Sequence, residues 1–252
     1  MRFQGRTALV TGAARGIGAA TAEILARDGA DLALNDVNEA ALAATAETLR
    51  LHGGKVTIHA GSVTDPGFIE LMTRGAAEAH GKIDLLANNA GGGPPATPWA
   101  EFADCDMAHF RAIFEMNFFS QAMVLHALLP GMLERGYGRI VCVSSISAVL
   151  GQESGSAYAS GKMALHALVS SVSKEVARRG VAINAVVLGN PPHPSRTPAR
   201  QEYLNKLSHF DRVGRLEEFG KAIAFLLSDD ASYMSGGVVP IDGGLLTPRL
   251  NE

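Results

Sequence analysis

Cysteine is nearly missing from this chain: Cys105 and Cys142 are the two among 252 residues. They are too few for a disulfide framework, and no Cys/His cluster has zinc-ligand spacing. Net charge is slight as well, −3 at pH 7, which gives no electrostatic reason to expect nucleic acid or an anionic membrane as a partner. No unbroken apolar run approaches the roughly eighteen residues that span a bilayer. The opening MRFQGRTALVTG goes straight into a strand, without the apolar core of a signal peptide. A cytoplasmic protein is therefore expected. Repeats, low-complexity tracts and linkers are also missing, so residues 1–252, 47% hydrophobic and 19% charged, read as one domain with a substantial core.

What is present is alternation. Strands are expected at Thr7–Val10, Asp31–Asn35, Lys55–Ala60, Asp84–Ala87, Arg139–Ser144, Val181–Val187 and Val238–Ile241. Runs such as RIVCV and AINAVVL are nearly continuous in apolar residues, as parallel strands buried on both faces must be. Helical patterns lie between them at Gly16–Asp28, Glu39–Leu51, Pro66–His80, Met107–Glu134, Tyr158–Arg179 and Glu217–Leu227. Strand and helix in turn over this length predict an α/β fold: a Rossmann-type, doubly wound parallel sheet of about seven strands with helices on both faces.

The segment ALVTGAARGIGAATAEILARDGADLALND is a strand, a glycine turn, a helix and a second strand ending in an acid. A helix N-terminus leaves backbone N–H groups unpaired and partly positive, which suits a pyrophosphate. Gly12, Gly16 and Gly18 let the backbone come close to such a group. A glycine trio alone fits any tight turn; here its place between strand and helix, with Asp36 ending the next strand, points to a dinucleotide. A carboxylate at Asp36 accepts hydrogen bonds from ribose hydroxyls and repels a 2′-phosphate, so NAD is expected over NADP. Val37 offers no compensating charge. Arg15 reads either as a 2′-phosphate ligand or as an exposed residue of the turn.

With Gly12-x-x-x-Gly16-x-Gly18 after VT, NNAG at 88–91, Asn117, SSIS, YASGK and VPIDGG at 239–244, the whole chain resembles the short-chain dehydrogenase/reductase family. The resemblance implies that Arg15 and Ile17 join the three glycines in cofactor binding. It puts Asn89 near the adenosine ribose, and Ser62 and Val63 beside the adenine, although the family often has an acid where this chain has Ser62. It also implies a homotetramer or homodimer assembled through long paired helices and the last strand. Read as bare residues, Asn88 and Asn89 are ordinary turn formers.

Tyr158 and Lys162 stand at i and i+4, on one face of a helix. A neighbouring ammonium and the positive nicotinamide are expected to lower the phenol's pKa. Tyr158 then takes a proton from an alcohol, or returns it to a carbonyl, as hydride moves. Ser145, thirteen residues earlier at a strand end, donates to the substrate oxygen where charge builds up. Ser144 should point to the other side of the strand. Asn117, in the apolar FEMNFFS, reads as a helix–helix hydrogen-bonding residue; the family role is to hold a water that links Lys162 to solvent.

The largest departure from the family pattern is VVLGNPPHPSRTP, Val186 to Pro198. The family's sixth strand usually runs into Pro-Gly, with a Thr further on, and backbone groups there hold the nicotinamide carboxamide. Here Leu188 replaces the Pro, Gly189 stays, and Pro191 and His193 follow. Pro191 has no N–H to donate. The grip is expected from a slid loop, from another donor such as Asn190 or His193, or to be weaker. Residues 190–215 are expected to form a substrate lid, whose excess of cations suits an anionic substrate or is merely a solvated face. Residues 89–99, ending at Trp99, are expected to be a second pocket edge.

The reading is an NAD-dependent oxidoreductase interconverting a secondary alcohol and a ketone. Its alternatives are a 3-oxoacyl-carrier-protein reductase using NADPH, or a non-catalytic dinucleotide sensor on the same scaffold.

Overall fold

The computed structural model describes residues 1–92, 99–193 and 195–247. The first half runs β1 (Thr7–Thr11), α1 (Gly16–Arg27), β2 (Asp31–Asp36), α2 (Glu39–Arg50), β3 (Val56–Ala60), α3 (Pro66–His80) and β4 (Leu85–Asn88). There follow α4 (Met107–Phe114), a π-helical turn at Glu115–Phe119, α5 (Ser120–Arg135), β5 (Gly138–Ser145), α6 (Ser147–Leu150) and α7 (Ser156–Val176). The chain continues through β6 (Val181–Leu188), α8 (Pro198–Leu207), α9 (Leu216–Leu227) and β7 (Val238–Ile241). All strand pairings are parallel, in the order β3-β2-β1-β4-β5-β6-β7. The expected seven-stranded α/β sheet is present, with shifts of one or two residues at strand ends.

The apolar runs explain the layering. β6 is buried along its whole length and β5 along all but its last residue. One core, with Ile24, Leu25, Leu42 and Ile223, fills the face under α1, α2 and α9. The other, with Ile69, Met72, Val124 and Val169, fills the face under α3, α5 and α7. Capping chemistry sets the helix starts. Asn38 accepts from the Ala41 N–H, and Asp65 accepts from Gly67 and Phe68 with Pro66 in the first turn.

The expected single helix Met107–Glu134 is instead α4 and α5 joined by the π turn. The cause lies at Asn117, whose buried amide makes hydrogen bonds inside this turn and to the loop after β4. Residues 107–135 are long and apolar enough to cross a membrane by length and composition alone. In this fold the run packs on α3, α7 and the sheet.

The strand order reverses between β1 and β4, and that switch point opens a crevice at the carboxyl ends of the strands. Ser145, at the end of β5, is in register with Leu188 at the end of β6. The catalytic candidates and the proline-rich segment therefore start side by side.

Candidate active site

The glycine turn leaves β1 and enters α1 with Gly12 at φ +64° and Gly16 at φ +61°, a left-handed backbone that favours glycine. Gly18 is required for a different reason. A Cβ there would lie 2.0 Å from the Gly12 carbonyl oxygen, so the first turn of α1 lies against the turn that precedes it. No side chain caps α1 at Arg15, which is extended and exposed, and Ile17 is half-buried behind it. The Asp36 carboxylate is tied down at both oxygens. Oδ2 accepts from the Ala14 N–H at 3.1 Å, and Oδ1 accepts from the Asn38 N–H at 3.0 Å. A carboxylate fixed beside a glycine turn and an uncapped helix start fit the ribose and pyrophosphate of a dinucleotide.

Asn89 closes this side of the crevice. Its Nδ2 donates to the Thr11 and Gly12 carbonyls at 3.0 and 3.2 Å, clasping the end of β4 to the end of β1. Thr11, which the sequence reading passed over, is fully buried and accepts the Asn89 and Ala90 N–H groups on its hydroxyl, both at 2.9 Å. A Thr at a strand end carries no pattern of its own. Ser62 and Val63 follow β3 at the same edge, with the Ser62 and Thr64 hydroxyls 2.8 Å apart.

Tyr158 and Lys162 sit on α7, which passes beside the end of β5. Lys162 is buried and donates from Nζ to the Val143 carbonyl at 2.8 Å, and Nζ lies 5.9 Å from the centre of the Tyr158 ring. Burial pushes the Lys162 pKa down to about 8, which leaves the ammonium as the major form at pH 7. The share of the expected lowering assigned to Lys162 does not appear, because its ammonium is turned to the Val143 carbonyl. Burial raises Tyr158 above its ordinary value, and the hydrogen bond with Ser145 works against that rise. In this geometry the phenol is held protonated, and Ser145 is the neighbour that favours its ionisation.

Ser144, expected on the other side of the strand, also meets α7, but at a different point from Ser145. Its hydroxyl lies 3.0 Å from the Lys162 carbonyl and 2.8 Å from His166 Nε2. A hydroxyl has one proton: with Ser144 donating to the carbonyl, His166 donates Nε2–H to Ser144. This chain fastens the helical turn carrying Lys162 to β5. His166 had no signal in sequence beyond lying one turn after Lys162.

Asn117 is fully buried, but its bonds differ from the helix–helix pairing expected. Oδ1 accepts from the Gly92 N–H at 2.8 Å, while Nδ2 donates to the Gly92 carbonyl at 2.7 Å and the Ile113 carbonyl at 2.8 Å. The side chain reads the loop backbone as a neighbouring strand would. A Cβ at Gly91 would lie within 2.9 Å of both Lys162 Nζ and Asn117 Oδ1, which places the two side chains around one small space.

Comparison with known proteins agrees with this geometry. The enoyl-(acyl carrier protein) reductase family matches residues 12–246. The chain is 37% identical over 246 residues to cis-4-hydroxycyclohexanecarboxylate dehydrogenase of Sinomonas cyclohexanicum, covering 96% of this chain and 97% of that one. It is 32% identical over 250 residues to a 3-oxoacyl-[acyl-carrier-protein] reductase of Thermotoga maritima, covering 98% and 100%. The chain belongs to the short-chain dehydrogenase/reductase family. The crystal structure of levodione reductase superposes with a TM-score of 0.91 at 31% identity, covering 96% of this chain and 98% of that one. That of NAD+-bound xylitol dehydrogenase gives 0.91 at 30%, covering 97% and 100%.

As a short-chain dehydrogenase/reductase this chain is an oxidoreductase, and its departure after β6 now has a geometry. Gly189 donates its N–H to the Ile241 carbonyl at 3.0 Å and is packed so tightly that a Cβ would lie 2.7 Å from the Asp242 Cα. Pro191 is half-buried. His193 is exposed, with Nδ1 engaged by the Ser195 hydroxyl at 2.9 Å. Asn190 is half-buried, accepts from the Gly214 N–H, and lines a cavity of about 330 Å³ with Phe210 and Asp242. Of the two substitute donors weighed, Asn190 is the one set inside the fold.

The lid region holds α8, capped by Thr197, which the sequence reading did not resolve. Three of its cations are paired: Lys206 with Glu202 at 2.7 Å, and Arg212 and Arg215 with Glu218 at 2.8 and 3.0 Å. The apparent excess of charge is thereby reduced. The second expected edge, 89–99, lies outside the described residues from 93 to 98. Trp99 at its end meets Tyr158 edge-on, with ring centres 5.9 Å apart and planes at 78°.

Proposed function

We propose that this chain is an NAD-dependent oxidoreductase that interconverts a secondary alcohol and a ketone, with Tyr158 as general acid and base. The observation that carries this reading is the meeting of Tyr158, Ser145 and Lys162 at the carboxyl edge of the sheet that also holds the glycine turn and Asp36. Gly12, Arg15, Gly16, Ile17, Gly18, Asp36, Ser62, Val63 and Asn89 hold the adenosine and pyrophosphate; the loop from Gly189 through Pro191 to His193 holds the nicotinamide end. When bound, the nicotinamide supplies or accepts the hydride. Ser145 donates to the substrate oxygen and favours ionisation of the Tyr158 phenol, and Tyr158 Oη exchanges its proton with that oxygen.

NAD is favoured because the Asp36 carboxylate is locked in place by two backbone donors and cannot swing away from a 2′-phosphate. Initial-rate kinetics with each cofactor test this: KM for NAD+ is expected to be at least about tenfold below that for NADP+, about 1.4 kcal/mol of discrimination. Comparable values would contradict the assignment. A second reading, 3-oxoacyl-carrier-protein reductase, is favoured by the name of the Thermotoga maritima relative. Its usual NADPH conflicts with Asp36.

The nicotinamide loop makes a separate prediction. Asn190→Ala is expected to raise KM for NAD+ about fivefold to tenfold, near the loss of one hydrogen bond, and the exposed His193→Thr to change it less. Steady-state kinetics of the two variants side by side decide this, and the reverse ranking would move the grip to His193. Assembly as a homotetramer fits an apolar groove of about 710 Å³ where α3, α5 and α7 meet, lined by Ile69, Met123, Leu129, Leu168 and Val172.

A further inference from the structure

The indole of Trp99 is a large apolar group left 43% exposed next to the catalytic tyrosine. An aromatic residue of this size usually contributes most when its surface is covered, so an open indole is a seat for something apolar. Trp99 is not loosely placed: its edge-to-face contact fixes it against the Tyr158 ring. The Tyr158 hydroxyl is directed to Ser145. A substrate whose oxygen lies between those two hydroxyls therefore has its flanking carbons within reach of the indole.

The surroundings have the same character. α6, which follows Ser145 after one residue, leaves Val149 47% and Leu150 62% exposed. Exposed apolar side chains thus occur on both segments that leave the sheet beside the reacting centre, after β4 and after β5. Part of the lid's charge is already engaged, since Lys206, Arg212 and Arg215 hold Glu202 and Glu218 between them, while Arg196 and Arg200 form no ion pair among the described residues.

We propose that Trp99 is a specificity-determining wall of the substrate site and that the substrate is an alicyclic secondary alcohol or ketone, whose ring packs on the indole while its oxygen meets Tyr158 and Ser145. The proposal rests on the alcohol–ketone reading above and adds the shape and polarity of the carbon skeleton.

The test compares cyclohexanol with propan-2-ol in wild type, Trp99→Phe and Trp99→Ala. The ratio of kcat/KM for the cyclic over the acyclic alcohol is expected to fall at least about tenfold in Trp99→Ala, carried mainly by KM, and to be partly retained in Trp99→Phe. An unchanged ratio overturns the proposal, whether both activities persist or both fall; the latter would mean that Trp99 only positions Tyr158. A second measurement does not depend on turnover. Trp99 is the single tryptophan of the chain, so its emission reports on the seat directly. Cyclohexanol added to Tyr158→Phe enzyme with NAD+ is expected to shift that emission, and propan-2-ol to shift it less. No shift with cyclohexanol overturns the ring seat even if wild type is active. A wild type that binds cyclohexanol in this way but reduces no cofactor with any secondary alcohol overturns the parent reading and leaves the seat standing.

Discussion

Tyr158→Phe lowers kcat by about a thousandfold while leaving NAD+ binding nearly intact. In the proposed function the phenol hydroxyl exchanges a proton with the substrate oxygen, and positioned acid–base groups typically contribute 10²–10⁴-fold, roughly 3–5 kcal/mol of barrier. Removing one oxygen keeps the ring, and with it the edge contact to Trp99 and the packing of α7. The cradle for the cofactor's phosphates lies on β1 and α1, away from this hydroxyl. Stopped-flow turnover together with NADH titration followed by Trp99 emission separates the two effects. Residual activity within tenfold of wild type would remove Tyr158 from its assigned role and leave the proton to another group.

Gly18→Ala abolishes tight cofactor binding and destabilises the domain. The added Cβ would sit 2.0 Å from the Gly12 carbonyl oxygen and 2.8 Å from Asn89 Nδ2. Neither neighbour can yield easily. Gly12 is backbone in a left-handed turn, and Asn89 is held by the Thr11 and Gly12 carbonyls. The helix start must move away from the turn, which costs about 1–3 kcal/mol or more by analogy with overpacked cores. Melting temperature should fall by about 2–4 °C for each kcal/mol lost in a chain of this size. KM for NAD+ should rise more than tenfold, because the displaced helix start is the phosphate site itself. Gly53→Ala is the control for a loss of stability alone: that position is left-handed, at φ +86°, unlike the helical Gly18, has open space around it and lies away from the crevice. It should lose stability without affecting KM. A matching rise in KM for Gly53→Ala would mean that the effect at Gly18 is not local to the helix start.

Much of this was readable along the chain because it depends on short-range periodicity. Buried parallel strands must be apolar throughout, so all seven strands could be placed within a residue or two of where they fold. Tyr158 and Lys162 share a face because four residues make roughly one helical turn. Other features left no such trace. The π turn at Glu115–Phe119 arises because Asn117 answers the loop backbone at Gly92, twenty-five residues away. Thr11 and His166 matter through side-chain hydrogen bonds to elements remote in sequence, which no spacing rule encodes. The lid cations read in one dimension as an anionic-substrate site or a solvated face, and three of them are paired once α8 and the start of α9 are in place.

The electrostatics of the tyrosine shows where the division falls. That Tyr158 and Lys162 would be neighbours followed from helix geometry, and so did the chemistry they can do together. The sign of the resulting shift did not, because it depends on how much water the fold removes and on where the ammonium points. Packing buries the phenol, turns Nζ toward the Val143 carbonyl and leaves Ser145 as the hydroxyl's own partner. Residue types and their order along the chain settled the fold class and located the glycine turn and the candidate catalytic residues, since each rests on local repeat and backbone chemistry. What surrounds the loop after β6, what lies against Tyr158 and which charges are already paired came from packing, since each depends on distances between segments that are far apart in the chain.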